Sequence, residues 1–239
     1  ILPITTIRSY DILVLARPVM ANDLEYQGLL EFIDQVQSLG KKVVFEVDDD
    51  FTNEFRKFGP ETTHTIDIAK ACDAITTSTK HLANLMKSRT GRPAYVIPNR
   101  IDPKLFLKNS REKHKRLTIA LTGSHTHSED WRVLENVLPR IKQEFDVEIV
   151  LGGYHPPYME NLEATRVPAL IYSHYVELVR ESDIILAPVS PDDGFNDSKS
   201  SIKCVEGLAA LRDLSNNKGG ALCICSDVPA YRDLPEGTV

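Results

Sequence analysis

Residues 117–141 read LTIALTGSHTHSEDWRVLENVLPRI. The first six are an apolar run with no strict polar alternation, which suits a strand buried on both faces. Gly123 and Ser124 then supply a small-residue turn, and Ser128 with Glu129 and Asp130 opens a helix in the order its dipole favours. Strand, tight turn and helix in that order form half of a parallel βαβ unit.

The same grammar recurs on both sides. Val- and Ile-rich runs fall at DILVLA (11–16), KVVFEV (42–47), AITTS (74–78), AYVIP (94–98), VEIVLG (147–152), DIILAPV (183–189) and ALCICS (221–226), with helical patterns between them. In LEYQGLLEFIDQVQSLG, Leu29, Phe32, Ile33 and Val36 share a helical face and Gly40 supplies the stop. STKHLANLMKSRTG has Ser78 or Thr79 as its cap and Gly91 as its end. The period fails over residues 99–116, NRIDPKLFLKNSREKHKR. This pattern predicts an α/β fold with two parallel-sheet domains, residues 1–98 and 117–239, joined by a linker over 99–116. The N-terminal sheet is short, with four strands expected. In open parallel sheets, ligands bind beyond the carboxyl ends of the strands.

Of the 239 residues, 42% are hydrophobic, enough for two modest cores. No apolar run approaches the roughly 18–20 residues needed to cross a bilayer. The opening ILPITTIRSY lacks the basic head and cleavage pattern of a secretion signal. The four cysteines have no zinc-type spacing, and Cys223 and Cys225 are expected on one strand face as buried thiols, in keeping with a reducing cytoplasm. A net charge of −6 and a pI near 5.7 argue against nucleic acid as the main partner. The basic cluster KNSREKHKR (108–116) reads as a solvated linker or as a contact with an anionic membrane surface.

DIILAPV leads into SPDDGFNDSKSSIKCVEGLAAL (190–211). On one helix running through this stretch, Lys199, Lys203 and Glu206 share a sector of about 60°, opposite Ile202, Val205, Leu208 and Ala209. Two lysines four apart at the positive end of a helix are each unfavourable by about 0.3–1 kcal/mol. An anion at that N-terminus would reverse both terms. Glu206 could then accept hydrogen bonds from paired hydroxyls such as those of a ribose. The competing reading is a solvated face with a Lys203–Glu206 pair.

VVFEVDDDFT (43–52) ends a strand with Asp48, Asp49 and Asp50, read either as solvated loop residues or as a crevice cluster. His125 and His127, two apart, have no third ligand at a useful spacing, so no metal is expected. In LGGYHPP (151–157) the glycines and His155 read as turn structure before sugar contact, and Trp131 reads as core.

FNDSKSSIKCVEGLAAL (195–211), followed by GGALCICSDVPAY (219–231), resembles the donor-binding signature of GT-B glycosyltransferases, especially the retaining nucleotide-sugar-dependent group (family 4-like, group 1). AYVIPNRIDPKLF (94–106) resembles that family's interdomain segment, with Arg100 where glycine is usual. Residues 117–141 resemble the opening of its donor domain, with His125 and His127 where many relatives carry arginine and lysine. The resemblance covers most of residues 94–235 and rests on element order alone over 10–93. It implies two Rossmann-like domains with the reaction in the cleft between them, and transfer of a sugar from a UDP- or GDP-sugar to a carbohydrate or glycoconjugate. On this resemblance Gly123, Ser124, His125, Asp193, Asn196, Lys199, Ser200 and Lys203 lie on the sugar-diphosphate side and Glu206 holds the ribose. Ser198 stands where a second glutamate is usual, with Asp193 or Asn196 as the substitutes. Asp48, Asp49 and Asp50 face the acceptor, Asp49 and Lys203 are the catalytic candidates, and neither metal nor other cofactor is required. One alternative is a partner subunit that keeps this fold without turnover. Another is a magnesium-dependent phosphohydrolase, because Asp48, Asp50 and Thr52 also fit the D-x-D-x-T motif of haloacid-dehalogenase-like enzymes.

Overall fold

The computed structural model describes Ile7 and residues 9–18, 22–52, 64–106, 116–168, 171–190, 194–210 and 221–232. The chain divides into two compact units, Ile1–Asn99 with Asp193–Ser200, and Arg100–Asp192 with Ser201–Val239.

The first unit runs β1 (Ile12–Ala16), α1 (Asp23–Ser38), β2 (Lys42–Val47), α2 (Thr65–Ala71), β3 (Ala74–Thr77), α3 (Lys80–Thr90) and β4 (Ala94–Val96). Its strands are parallel in the order β1-β2-β3-β4. The Asn22 side chain accepts from the Glu25 amide at 3.0 Å to start α1, and the chain leaves α1 through Gly40 at φ +70°. Thr79 caps α3 by accepting from the Leu82 amide at 3.2 Å, and the left-handed Gly91 ends it, as the sequence predicts.

Leu29, Ile33 and Val36 of α1, Ile68 of α2, and Leu82 and Met86 of α3 join Val43, Phe45, Val47 and Ile75 in one core. All three helices therefore cover the same sheet face. The other face carries Ile12, Val14 and Tyr95, all exposed, so burial on both faces does not hold for this sheet. Burial works against ionisation of Asp73 at the base of the sheet. Even so, hydrogen bonds from Lys42, the Val43 amide and Gln37 hold its carboxyl down at about 2.

The second unit runs α4 (Pro103–Phe106), β5 (Leu117–Gly123), α5 (Ser128–Trp131), α6 (Val137–Glu144), β6 (Val147–Gly153), β7 (Thr165–Val167), α7 (Tyr172–Glu181), β8 (Ile184–Ala187), α8 (Ile202–Ala209), β9 (Leu222–Cys225) and α9 (Pro229–Arg232). The parallel sheet has the order β7-β6-β5-β8-β9, so the winding reverses between β5 and β8. Here both faces are buried. Ile119, Leu121, Ile149 and Leu151 pack with Trp131 and Leu138, while Ala120 and Ile185 pack with Phe106, Val176 and Val179.

Four sequence expectations are corrected in this unit. The strand β7 was not foreseen; it is three residues long, and Arg166 within it donates to the carbonyls of Met159, Glu160, Leu162 and Ala164. The start of the expected linker forms α4, because Phe106 is an apolar anchor buried in the core. The chain around Ser128 is already helical, since a 3-10 turn over His125–His127 precedes it. Finally, α8 starts at Ile202 and faces the sheet through Cys204 and Gly207, with Ile202, Val205, Leu208 and Ala209 only partly covered. Gly207 makes that approach possible, because a Cβ there would lie 3.2 Å from Ile185 Cγ1. Cys223 and Cys225 do share a strand face and pack with Cys204, although both are half-buried.

Of the basic cluster at 108–116, residues 108–115 lie outside the described residues, and Arg116 pairs with Asp146 at 3.0 Å. Among the described residues no helix is long and apolar enough to cross a membrane.

Candidate functional site

Strands β5 and β6 pair in register up to Gly123 and Gly153, where the Tyr154 amide donates to the Gly123 carbonyl at 2.8 Å. Gly153 sits at φ +91°, and a Cβ on it would lie 2.4 Å from the Gly123 oxygen, so the chain requires glycine here. Bare strand ends leave a cavity of about 690 Å3, in the range of small-ligand sites. It lies at the carboxyl ends of β5 and β6, beside the β5/β8 switch point, as expected for an open parallel sheet. Its floor comes from Thr122–His125 and Gly152–Tyr154, and its walls from Tyr172 and Tyr175 of α7 and Ile202, Lys203 and Glu206 of α8.

Lys203 extends from the first turn of α8 across the strand ends, and its Nζ donates to the Thr122 carbonyl at 2.8 Å. The same Nζ lies 3.3 Å from His127 Nε2. The other ring nitrogen, Nδ1, is 2.9 Å from Asp130, which is fully buried and also accepts from the Ser190 amide at 2.9 Å.

Glu206 is 6% exposed and accepts from the Tyr175 hydroxyl at 2.6 Å. Burial pushes the Glu206 carboxyl above the usual carboxylate range, against the Tyr175 hydrogen bond and the Lys203 charge, which draw it down. Burial, reinforced by the Glu206 charge, raises Tyr175 in turn. Tyr172, 54% exposed, stacks on Tyr175 with ring centroids 6.1 Å apart. A cation at a helix N-terminus, beside a buried carboxylate that accepts hydroxyl hydrogen bonds, can hold a ligand with an anionic and a polyol part.

Of the sequence candidates, the cavity brings together Gly123, Ser124, His125, Lys203 and Glu206. Lys199 is not on the helix. It follows a 3-10 turn over Phe195–Ser198 with extended backbone, and its Nζ lies 5.3 Å from the Phe195 ring centre. Asn196, Lys199 and Ser200 group with the first unit, where Ser200 Oγ accepts from Asn99 at 2.8 Å, and Asp193 lies outside the described residues. The shared stripe of Lys199, Lys203 and Glu206 therefore does not exist.

The three aspartates after β2 differ sharply. Asp48 is half-exposed and pairs with Arg17 at 3.4 Å. Asp50 is 3% exposed and bound by the amide and hydroxyl of Thr52 and by Arg89 at 3.3 Å. Asp49 follows Asp48 in the same bend and its carbonyl accepts from the Phe51 amide at 3.0 Å. His155 has a structural place, with Nε2 3.1 Å from the Val167 carbonyl, and Trp131 is fully buried in the core. Among the described residues there is no cluster of three or more His, Cys, Asp or Glu able to hold a metal.

Sequence reasoning missed Tyr172, Tyr175 and the burial of Asp130. The two tyrosines were visible as an i, i+3 pair, but only the fold turns them toward Glu206.

Two units of parallel α/β structure, the second reversing at a strand-end cavity, place this chain in the GT-B fold class with Rossmann-like units. No protein-family model matches the sequence, and no curated protein matches it. Solved structures do. Anabaena HepE in complex with UDP-glucose aligns with a TM-score of 0.65 at 10% identity, over 98% of this chain and 64% of that one. An α,α-trehalose-phosphate synthase (UDP-forming) of Burkholderia vietnamiensis aligns at 0.56 and 12% identity, over 85% and 58%. A Listeria monocytogenes protein assigned as a UDP-N-acetylglucosamine 2-epimerase aligns at 0.51 and 12% identity, over 85% and 57%. The chain thus spans less than two thirds of each of these structures, and the likeness is one of fold.

Proposed function

We propose that the chain carries the donor site of a glycosyltransferase that uses a nucleoside-diphosphate sugar, with UDP as the nucleotide. The observation that carries this reading is the convergence of Lys203 and Glu206, one turn apart on α8, over the glycine ends of β5 and β6. The α8 N-terminus and Lys203 face the diphosphate, whose growing negative charge they stabilise as its bond to the sugar C1 breaks. Glu206, oriented by Tyr175, accepts the ribose hydroxyls. The acceptor, a carbohydrate or glycoconjugate, forms the new bond to C1 through a hydroxyl oxygen, whose proton passes to the departing diphosphate. Transfer runs through an oxocarbenium-like state and retains configuration, as the family resemblance implies. We assign acceptor contacts to Asp48 and Asp49, with Asp49 as the catalytic candidate on that side, and not to Asp50, whose oxygens Thr52 and Arg89 occupy. The UDP ligands of HepE and the trehalose-phosphate synthase's description as UDP-forming support the choice of nucleotide.

A thermal-shift panel of nucleoside diphosphates tests this. UDP is expected to stabilise the native protein, and Lys203→Ala and Glu206→Ala to lose most of that shift. No response to any member at millimolar concentration overturns the donor site. Transfer or donor hydrolysis above background would separate an enzyme from a binding subunit, and free epimerised donor would reassign the chemistry.

A further inference from the structure

We propose that His127, its tautomer set by the buried Asp130 carboxylate, is a positioning residue that holds the Lys203 ammonium at the cavity floor. This inference rests on the donor-site reading above. Asp130 is fully buried, with Oδ1 taken by the Ser190 amide and Oδ2 facing His127 Nδ1 at 2.9 Å. An ionised carboxylate only accepts, so Nδ1 carries the ring proton. A neutral ring then presents its lone pair at Nε2, and Lys203 Nζ stands 3.3 Å from it. An ammonium only donates, so both ends of the chain assign the same tautomer.

The arrangement answers a definite physical need. Lys203 is a charge on a flexible stem, rooted in the first turn of α8, where the helix dipole repels it. Water offers that ammonium a better place than the cavity unless acceptors hold it inside. The Thr122 carbonyl at 2.8 Å is one such acceptor, and His127 is another. Charge stabilisation of a departing diphosphate depends on a cation already in place before the bond breaks. Gly123 makes room for the ring, since a Cβ there would lie 2.8 Å from His127 Cδ2.

The test uses the full chain and two readouts. Nitrogen NMR of the imidazole at alkaline pH is expected to show His127 protonated at Nδ1, and a ring protonated mainly at Nε2 overturns the proposal whatever the nucleotide result. In UDP titrations, His127→Gln places an amide oxygen near the position of Nε2 and is expected to bind within about threefold of native. His127→Asn reaches Asp130 but not Lys203 and is expected to bind about tenfold more weakly, the loss of one charge-assisted hydrogen bond. In a Lys203→Ala background neither substitution is expected to change affinity further. Equal losses for Gln and Asn, or losses that persist without Lys203, overturn the positioning role. If native protein ignores UDP, the donor-site reading fails and takes this role of Lys203 with it, whereas an Nε2–H ring defeats this proposal alone.

Discussion

The two sheets obey one grammar and end differently. In the first unit the order β1-β2-β3-β4 never reverses, and β2 runs out into Asp48, Asp49 and Asp50. In the second the order reverses at β5/β8, and β5 and β6 run out into glycines. Carboxylates at a strand end occupy the space and recruit partners from their own unit, as Asp48 does with Arg17 and Asp50 with Arg89. Glycines vacate the space, and the neighbouring helices furnish it with Lys203, Glu206 and Tyr175. The cavity here is made as much by what the strands omit as by what the helices supply.

That contrast can be broken most forcefully at Gly153. Gly153→Ala combines a left-handed backbone with a 2.4 Å clash against the Gly123 carbonyl, and is expected to cost about 3 kcal/mol in urea unfolding together with nucleotide binding. Wild-type behaviour from that variant would show that the strand ends do not need to be bare. Next comes Asp50→Ala, which strips the Thr52 amide and Arg89 of a buried partner. We expect a loss of about 2 kcal/mol with UDP affinity unchanged, and a parallel loss of affinity would tie the aspartate to the ligand.

Glu206 yields a smaller, pH-dependent effect. Its folded pKa is raised by burial, so the folded protein holds a proton that the unfolded chain has released between the ordinary carboxylate pKa and the raised one. Stability contributed by this group is therefore fully present below that window and is lost as pH rises through it. Denaturation midpoints measured against pH should show this downward slope in the native protein and not in Glu206→Gln, and identical slopes would contradict the burial. Smallest is Asp48→Ala. Its half-exposed pair with Arg17 is expected to contribute less than about 0.5 kcal/mol by the same unfolding measurement.

Much of this was readable from the chain. Eight of the strands announced themselves because parallel strands are continuous apolar runs, whereas β7 did not, since Thr165-Arg166-Val167 is held at the sheet edge by side-chain bonds that composition does not encode. That Lys203 and Glu206 line one side of α8 followed from helical spacing inside one element. Lys199 defeated the same arithmetic because its ψ of 151° breaks the helix, and a rotation of 100° per residue cannot be carried across an extended residue. Asp130 was legible as an acid in a first turn. That it is shielded from water, facing His127 and accepting from the Ser190 amide sixty residues on, is tertiary knowledge.

Gly207 has a consequence for how this site tolerates change. Because α8 is seated so close to Ile185, a Cβ at 207 would stand 3.2 Å from Ile185 Cγ1, and either that side chain yields by a few tenths of an ångström or the helix is lifted like a rod on a shim. Lys203 and Glu206 ride on the same helix, so any lift at the sheet is shared by both. Variation at a position that touches no ligand would then surface as altered discrimination among ligands before it surfaces as lost folding.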